Sequence, residues 1–194
     1  MNESILPNSI FVLIIGTNGA GKSTLMREII RRVGGGKTVG SHTEVADPQM
    51  AIVGVYRGTA QTNCGGDRIK DLDVLYREIR DLKRKFRVVL CEGVRLATFS
   101  NDKVESYTGG SQHTLIIGLP VDEATARSRI IGRGGYFNEQ TYRRKTATVE
   151  STLRKYKSIG CKIMRIGQNF TPEEKADFVL RAISQITNQP IFQS

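Results

Sequence analysis

One short stretch limits the possible folds more than any other part of the chain. Six consecutive apolar residues, 10–15, lead directly into the glycine-rich segment 16–23, and apolar residues then recur at helical spacing. This order predicts a buried strand, a tight loop and a helix. The loop fits the pattern G-x-x-x-x-G-K-[ST], in which backbone N–H groups surround a phosphate. We therefore expect an α/β fold with this loop at the end of a strand.

Each residue type in the loop suits phosphate binding. Glycine at positions 16, 19 and 21 lets the backbone approach an anion closely, and the following helix contributes the positive end of its dipole. Lys22 can reach the β- and γ-phosphates, and Ser23 offers a hydroxyl to Mg²⁺. We therefore expect ATP with Mg²⁺, and the alternative is a glycine-rich turn without a ligand. The expected nucleotide-contacting residues are Gly16, Asn18, Gly19, Ala20, Gly21, Lys22, Ser23 and Thr24.

The composition favours a polyanionic partner. The chain has 29 Lys and Arg against 19 Asp and Glu, a net charge of +10, which suits nucleic acid such as DNA. A basic surface without such a partner is the alternative. The three cysteines lack C-x-x-C spacing, so no zinc site or disulfide framework is expected. No apolar run is long enough to cross a membrane and residues 1–8 lack a signal pattern, so we expect a cytoplasmic protein without membrane contact. The sequence implies no obligate protein partner.

Alternating strands and helices predict one domain, residues 1–194, with a mostly parallel five-stranded sheet flanked by helices. Residues 41–49 have the composition of a loop, and residues 37–40 could begin a short strand. Thr171 and Glu174 form a predicted capping box at the last helix. The helical pattern at 72–86 places Lys83 off its apolar stripe, which favours a solvated position. The predicted strands cover residues 10–15, 50–56, 87–91, 114–119 and 161–166.

Glu92 follows directly after the predicted strand 87–91. The carboxyl ends of parallel strands are where doubly wound sheets bind their ligands. Glu92 is therefore a candidate for the Mg²⁺ shell, directly or through water, or for a proton acceptor. The alternative is a capping or salt-bridged surface glutamate.

A pair of arginines marks a predicted lid. Residues 129–133 read Arg-Ile-Ile-Gly-Arg, and the pattern R-x-x-G-R resembles the start of the lid in adenylate kinases and related nucleotide kinases. That resemblance implies that Arg129 stacks on the adenine and Arg133 reaches the phosphates, in a short lid at about 127–138 of a P-loop kinase fold. Planar, forked guanidinium groups suit both tasks. The alternative is an ordinary helix with surface arginines. The chain contains no Asn-Lys-x-Asp motif, which argues against a GTPase.

The same resemblance places the phosphoryl acceptor near residues 56–70. This segment contains Tyr56-Arg57 and Cys64-Gly-Gly-Asp-Arg68. Asp67 is the preferred residue for orienting or deprotonating an acceptor hydroxyl, with Glu92 second. Tyr56 or Tyr107 could stack on a base, and a turn capped by an aspartate is the structural alternative. The candidate substrate-binding residues are Tyr56, Arg57, Cys64, Gly65, Gly66, Asp67, Arg68 and Arg95, and the candidate catalytic residues are Lys22, Asp67, Glu92 and Arg133.

Together, the phosphate loop, the Tyr-Arg and Cys-Gly-Gly-Asp segments and the short arginine lid resemble bacteriophage P-loop kinases that phosphorylate 5-hydroxymethyluracil within DNA. The resemblance implies transfer of the ATP γ-phosphate to a hydroxymethyl group during thymidine hypermodification. Two other functions remain open, which are a small-molecule kinase for nucleosides or nucleoside monophosphates and a DNA-binding ATPase without an acceptor.

Overall fold

The sheet has seven strands. The computed structural model describes residues 5–6, 8–45, 49–56, 69, 71–94, 96 and 101–187, apart from the side chains of 101 and 103–105. The strands are β1 (Ile10–Ile15), β2 (Lys37–Val39), β3 (His42–Val45), β4 (Met50–Val53), β5 (Val88–Glu92), β6 (Thr114–Gly118) and β7 (Lys162–Arg165). The helices are α1 (Lys22–Arg32), α2 (Leu72–Lys83), α3 (Asn101–Thr108), α4 (Glu123–Ile131), α5 (Glu139–Ser158) and α6 (Pro172–Thr187).

The sheet is mostly parallel, as predicted. The strand order is β2-β3-β4-β5-β1-β6-β7, and every pairing from β4 to β7 is parallel. β1 lies between β5 and β6, so the chain passes from one side of β1 to the other after β5. Such a reversal opens a crevice at the carboxyl ends of the strands. The predicted phosphate loop follows β1 at this position.

Two antiparallel strands extend the five parallel strands that were predicted. β2 pairs with β3, and β3 pairs with β4, both antiparallel. The polar residues of β3 made this segment resemble a loop, but pairing with β4 buries Thr43, and His42 bonds to Glu78 of α2 at 2.8 Å. Pairing and contacts with α2 therefore outweigh the weak local strand pattern. The helix α3 was likewise not predicted.

Helices cover both faces of the sheet. In β1, Ile10, Val12 and Ile14 pack into the cluster that α1 and α6 cover, whereas the alternate residues pack towards α2 and α5. This arrangement explains why β1 is a continuous apolar run, since a strand buried on both faces has no solvated side. None of the helices in the described ranges is long and apolar enough to cross a membrane.

The capping box at α6 is confirmed. The Thr171 backbone N–H donates to Glu174 Oε2 at 2.7 Å, and the Glu174 N–H donates to Thr171 Oγ1 at 3.2 Å. These bonds satisfy two helix N–H groups that would otherwise lack partners. They also hold the loop before α6, which carries Phe170, in a defined position.

Lys83 is fully buried, contrary to the expectation of a solvated position. Its ammonium donates to the carbonyl of Ser9 at 2.7 Å and to the carbonyl of Thr108. It therefore joins the end of α2 to the segments before β1 and after α3. Burial lowers the pKa of Lys83 to about 7.

Candidate functional site

The phosphate loop folds around the side chain of Lys22. The Lys22 ammonium donates to the carbonyl oxygens of Gly16 and Thr17 at 2.9 and 3.1 Å. Lys22 is also the first residue of α1, so the positive end of the helix dipole lies beside the ammonium. The loop therefore holds the Lys22 ammonium against its own backbone carbonyls.

Two of the loop glycines are required by packing as well as by ligand approach. A Cβ on Gly16 would lie 2.8 Å from the carbonyl oxygen of Leu119, which follows β6. Gly19 has φ +83°, and a Cβ there would lie 2.9 Å from Cα of Ala126 in α4. Gly21 has φ +88° and open space around it. The loop thus rests directly on the backbone of α4.

The structure brings Arg129 to the phosphate loop across 110 residues of sequence. Arg129 Nη1 donates to the carbonyl oxygen of Gly19 at 3.1 Å, and Arg133 Nε donates to the Arg129 carbonyl at 2.9 Å. Asp122 caps α4, since its carboxylate accepts from the Thr125 N–H at 2.7 Å. This bond lowers the pKa of Asp122. The cap and the Gly19 contact hold both arginines beside the loop.

A cavity of about 460 Å³ opens next to these arginines. This volume lies within the range of small-molecule sites. It combines predicted residues with Phe170, Pro172 and Lys175, which no sequence motif indicated. Burial, reinforced by the charge of Arg129, lowers the pKa of Lys175. The lining residues are Gly19, Gly21, Thr24, Leu25, Arg129, Gly132, Arg133, Phe170, Pro172 and Lys175.

Lys145 is a further cation at the phosphate loop that sequence reasoning missed. Its Nζ donates to Asn18 Oδ1 at 3.3 Å, although the two residues lie 127 positions apart. The basic run Arg143-Arg144-Lys145, just after the predicted lid, was the available signal. Cations from α1, α4 and α5 therefore converge on one loop.

Glu92 and Ser23 are the predicted oxygen ligands of Mg²⁺, and Ser23 is the second residue of α1. Glu92 ends β5 and is 3% exposed, and it pairs in register with Ile14 of β1. Within the described ranges, no group of three or more His, Cys, Asp or Glu side chains is arranged to hold a metal ion. Mg²⁺ usually binds one or two protein oxygen atoms together with phosphate oxygens and water. A hydroxyl and a carboxylate fit that donor set.

Of the candidate substrate-binding residues, the structure describes only Tyr56. Tyr56 is 8% exposed, and its hydroxyl donates to the Val53 carbonyl at 3.4 Å, so its ring offers little surface for stacking. Tyr107 stacks on Tyr76, with ring centroids 5.1 Å apart. The other candidate substrate-binding residues lie outside the described residues. They are Arg57, Cys64, Gly65, Gly66, Asp67, Arg68 and Arg95.

Comparison of the sequence with known proteins gives one distant relative. The polysialic acid transport ATP-binding protein KpsT of Escherichia coli is 33% identical in an alignment of 132 residues, and the match covers 62% of this chain and 56% of that protein. The chain thus aligns with little more than half the length of this curated relative. No protein-family model matches the chain.

Several solved structures share this fold over most of the chain. A sugar kinase from Janibacter sp. HTCC2649 superposes with a TM-score of 0.56 at 14% identity over 92% of this chain and 98% of its own. The YorR protein of Bacillus subtilis, in complex with phosphorylated GDP, gives 0.53 at 12% identity over 92% and 98%. Deoxyadenosine kinase from M. mycoides gives 0.51 at 14% identity over 91% and 100%. The protein therefore has the fold of P-loop kinases.

Proposed function

We propose that this protein is an ATP-dependent kinase that transfers the γ-phosphate to the hydroxymethyl group of 5-hydroxymethyluracil in DNA. The observation that carries the proposal is the hydrogen bond from Arg129 of α4 to the Gly19 carbonyl of the phosphate loop. It brings a guanidinium from the second half of the chain to the phosphate loop, which supports a role for Arg129 at a bound triphosphate. Arginine in this position stabilises charge on a transferring phosphoryl group.

The residues at the phosphate loop and the cavity beside it have separate roles in this proposal. Lys22, Arg129 and Arg133 would stabilise the charge on the phosphate oxygens, and the planar guanidinium of Arg129 would also stack on the adenine. Ser23 and Glu92 would hold Mg²⁺, which when bound neutralises charge on the β- and γ-phosphates. Closing the short lid over the cavity would exclude water, so that an alcohol rather than water receives the phosphoryl group.

The acceptor hydroxyl needs a residue that orients it or takes its proton. Asp67 is our first candidate and Glu92 the second. An Asp67→Asn variant should lose most of the transfer activity while it keeps its affinity for ATP. If Asp67→Asn transfers phosphate at the wild-type rate, Asp67 has no part in the reaction, and Glu92→Gln becomes the informative variant.

DNA as the acceptor is supported by the net charge of +10, because phosphate contacts supply most of the affinity for DNA. The hydroxymethyl group lies where thymine carries its methyl, in the major groove. A recessed site requires the base to be flipped out of the helix. We therefore expect 2-aminopurine beside the target base to change its fluorescence when the protein binds.

The decisive experiment uses ATP with labelled γ-phosphate and two DNAs that differ only in 5-hydroxymethyluracil against thymine. After digestion to nucleosides, mass spectrometry should find a phosphorylated hydroxymethyl nucleoside only in the first DNA. Lys22→Ala is the control that should give no product. If the nucleosides from both DNAs carry no added phosphate, the proposed acceptor is refuted.

A small-molecule kinase is the second candidate. It is favoured by the solved structures that share the fold, one of which is a deoxyadenosine kinase with dCMP and dCDP bound as products. Labelled phosphate on free nucleosides or nucleoside monophosphates, and none on DNA, would support it. Release of inorganic phosphate without any labelled acceptor would instead indicate a DNA-binding ATPase, which the distant similarity to an ATP-binding protein allows.

A further inference from the structure

Tyr136 in the lid is almost fully exposed. Its relative exposure is 87%, the largest among the exposed large apolar side chains of the described residues. Two others, Ile131 at 55% and Phe170 at 49%, lie on the lid helix and on the cavity wall. Single exposed apolar residues are common on proteins. Tyr136 lies three residues after Arg133, which lines the cavity, and its exposure leaves the ring open to a partner.

The loop that carries Tyr136 is anchored on both sides. Phe137, the next residue, packs against Tyr142 with ring centroids 5.6 Å apart, and the Arg127 guanidinium lies 4.8 Å from the Phe137 ring centroid. The Gly135 N–H donates to the Ile130 carbonyl at 3.0 Å. Because Phe137 is held inward by these contacts, the neighbouring Tyr136 is directed outward.

The segment of sequence that contains Tyr136 is basic. Residues 123–145 contain six Lys or Arg against two Glu. Arg143 bonds to both glutamates, at 2.5 Å to Glu139 and 3.6 Å to Glu123, and Arg127 lies 4.0 Å from Glu139. Within the described part of the chain, no carboxylate forms an ion pair with the four remaining cations, Arg129, Arg133, Arg144 and Lys145. Arg129, Arg133 and Lys145 belong to the phosphate-loop side of the site, whereas Arg144 is exposed on α5. An exposed aromatic ring in a basic segment is a combination that can bind single-stranded nucleic acid, through stacking on a base and contacts with phosphates.

We propose that Tyr136 stacks on an unpaired base of the nucleic acid acceptor, while Arg144 contacts the phosphates beside that base. The inference rests on the proposed function, in which a base in DNA is the acceptor, and it adds a contact outside the reacting base. When the target base is flipped out, the base opposite it loses its pairing partner and would provide the ring that Tyr136 needs. The positive charge of this segment complements a polyanion and disfavours a second copy of this basic chain.

The test separates stacking from charge by using two fluorescently labelled oligomers of equal length. One is oligothymidylate, and the other is a chain of abasic residues with the same phosphates. Tyr136→Ala should weaken binding to oligothymidylate about 5- to 150-fold and leave binding to the abasic oligomer unchanged. Tyr136→Phe should bind both as the wild type does. Arg144→Ala should weaken binding to both oligomers. It should also reduce the slope of log K against log salt concentration by about 0.7, because one phosphate contact is lost.

Three results would overturn the inference. They are equal binding of the two oligomers by the wild type, equal losses on both oligomers in Tyr136→Ala, and no loss at all in that variant. Thermal melts verify that the variants fold, which the exposure of Tyr136 leads us to expect. Transfer of labelled phosphate to 5-hydroxymethyluracil DNA is measured separately with the wild type. A base-dependent loss in Tyr136→Ala without any transfer would refute the proposed function alone, and transfer with unchanged binding would refute the inference alone.

Discussion

Gly19 provides a quantitative test of how the phosphate loop rests on α4. An alanine at φ +83° costs about 1–2 kcal/mol because its Cβ approaches the following carbonyl. The added Cβ would also lie 2.9 Å from Ala126 Cα and 3.0 Å from the Ala126 carbonyl oxygen, so the α4 backbone must move. Overpacking of this kind costs about 1–3 kcal/mol. Gly19→Ala should therefore lower the free energy of unfolding by about 2–5 kcal/mol.

Gly34 is the matched control for this substitution. Gly34 also has φ +83°, but a Cβ added there would meet no atom within 4 Å. It lies after the end of α1, outside the phosphate loop. Gly34→Ala should cost only the backbone term, about 1–2 kcal/mol. The difference between the two variants therefore measures the contact between the loop and α4.

Equilibrium unfolding in urea, with the midpoint and slope fitted for each variant, gives both free energies. Gly19→Ala should in addition weaken ATP binding, because moving α4 disturbs the Arg129 hydrogen bond to the Gly19 carbonyl. Gly34→Ala should bind ATP as the wild type does. If the two variants lose the same stability, α4 does not rest on the loop as described and the positioning of Arg129 must have another cause.

Substitutions of three further cations test the site and the core. Lys22→Ala should abolish transfer of labelled γ-phosphate and leave DNA affinity largely intact, as measured by anisotropy. Arg129→Ala should weaken ATP binding about 10- to 100-fold in calorimetry, and Arg129→Lys should restore little of it because lysine lacks the planar guanidinium. Burial lowers the pKa of Lys83 from 10.5 to about 7, so between these values the unfolded state binds more protons and wild-type stability should rise with pH. In Lys83→Met this rise, about 1 kcal/mol per pH unit, should be absent, and parallel stability curves would contradict the assignment.

Local patterns in the sequence were sufficient to predict most of the elements. The apolar run of β1, the glycine-rich loop and α1 are consecutive, so their period and residue types predict them without reference to the rest of the chain. The capping box of α6 is similarly local, because Thr171 and Glu174 lie three residues apart. The strand β3 was missed because its polar residues become buried only through pairing with β4.

The composition of the site depended on contacts between distant segments. Arg129 contacts Gly19, and Lys145 contacts Asn18, only because β6 lies beside β1 and places α4 and α5 next to the loop. The burial of Lys83 depends likewise on segments 74 and 25 residues away.

The sequence by itself therefore determined the phosphate cradle and the α/β class, since both follow from the period and type of neighbouring residues. The tertiary structure alone decided which cations reach the cradle, that Phe170 and Lys175 complete the cavity, and that Tyr136 faces solvent. The physical reason is that strand order and burial arise from packing of the whole chain, which no local pattern encodes.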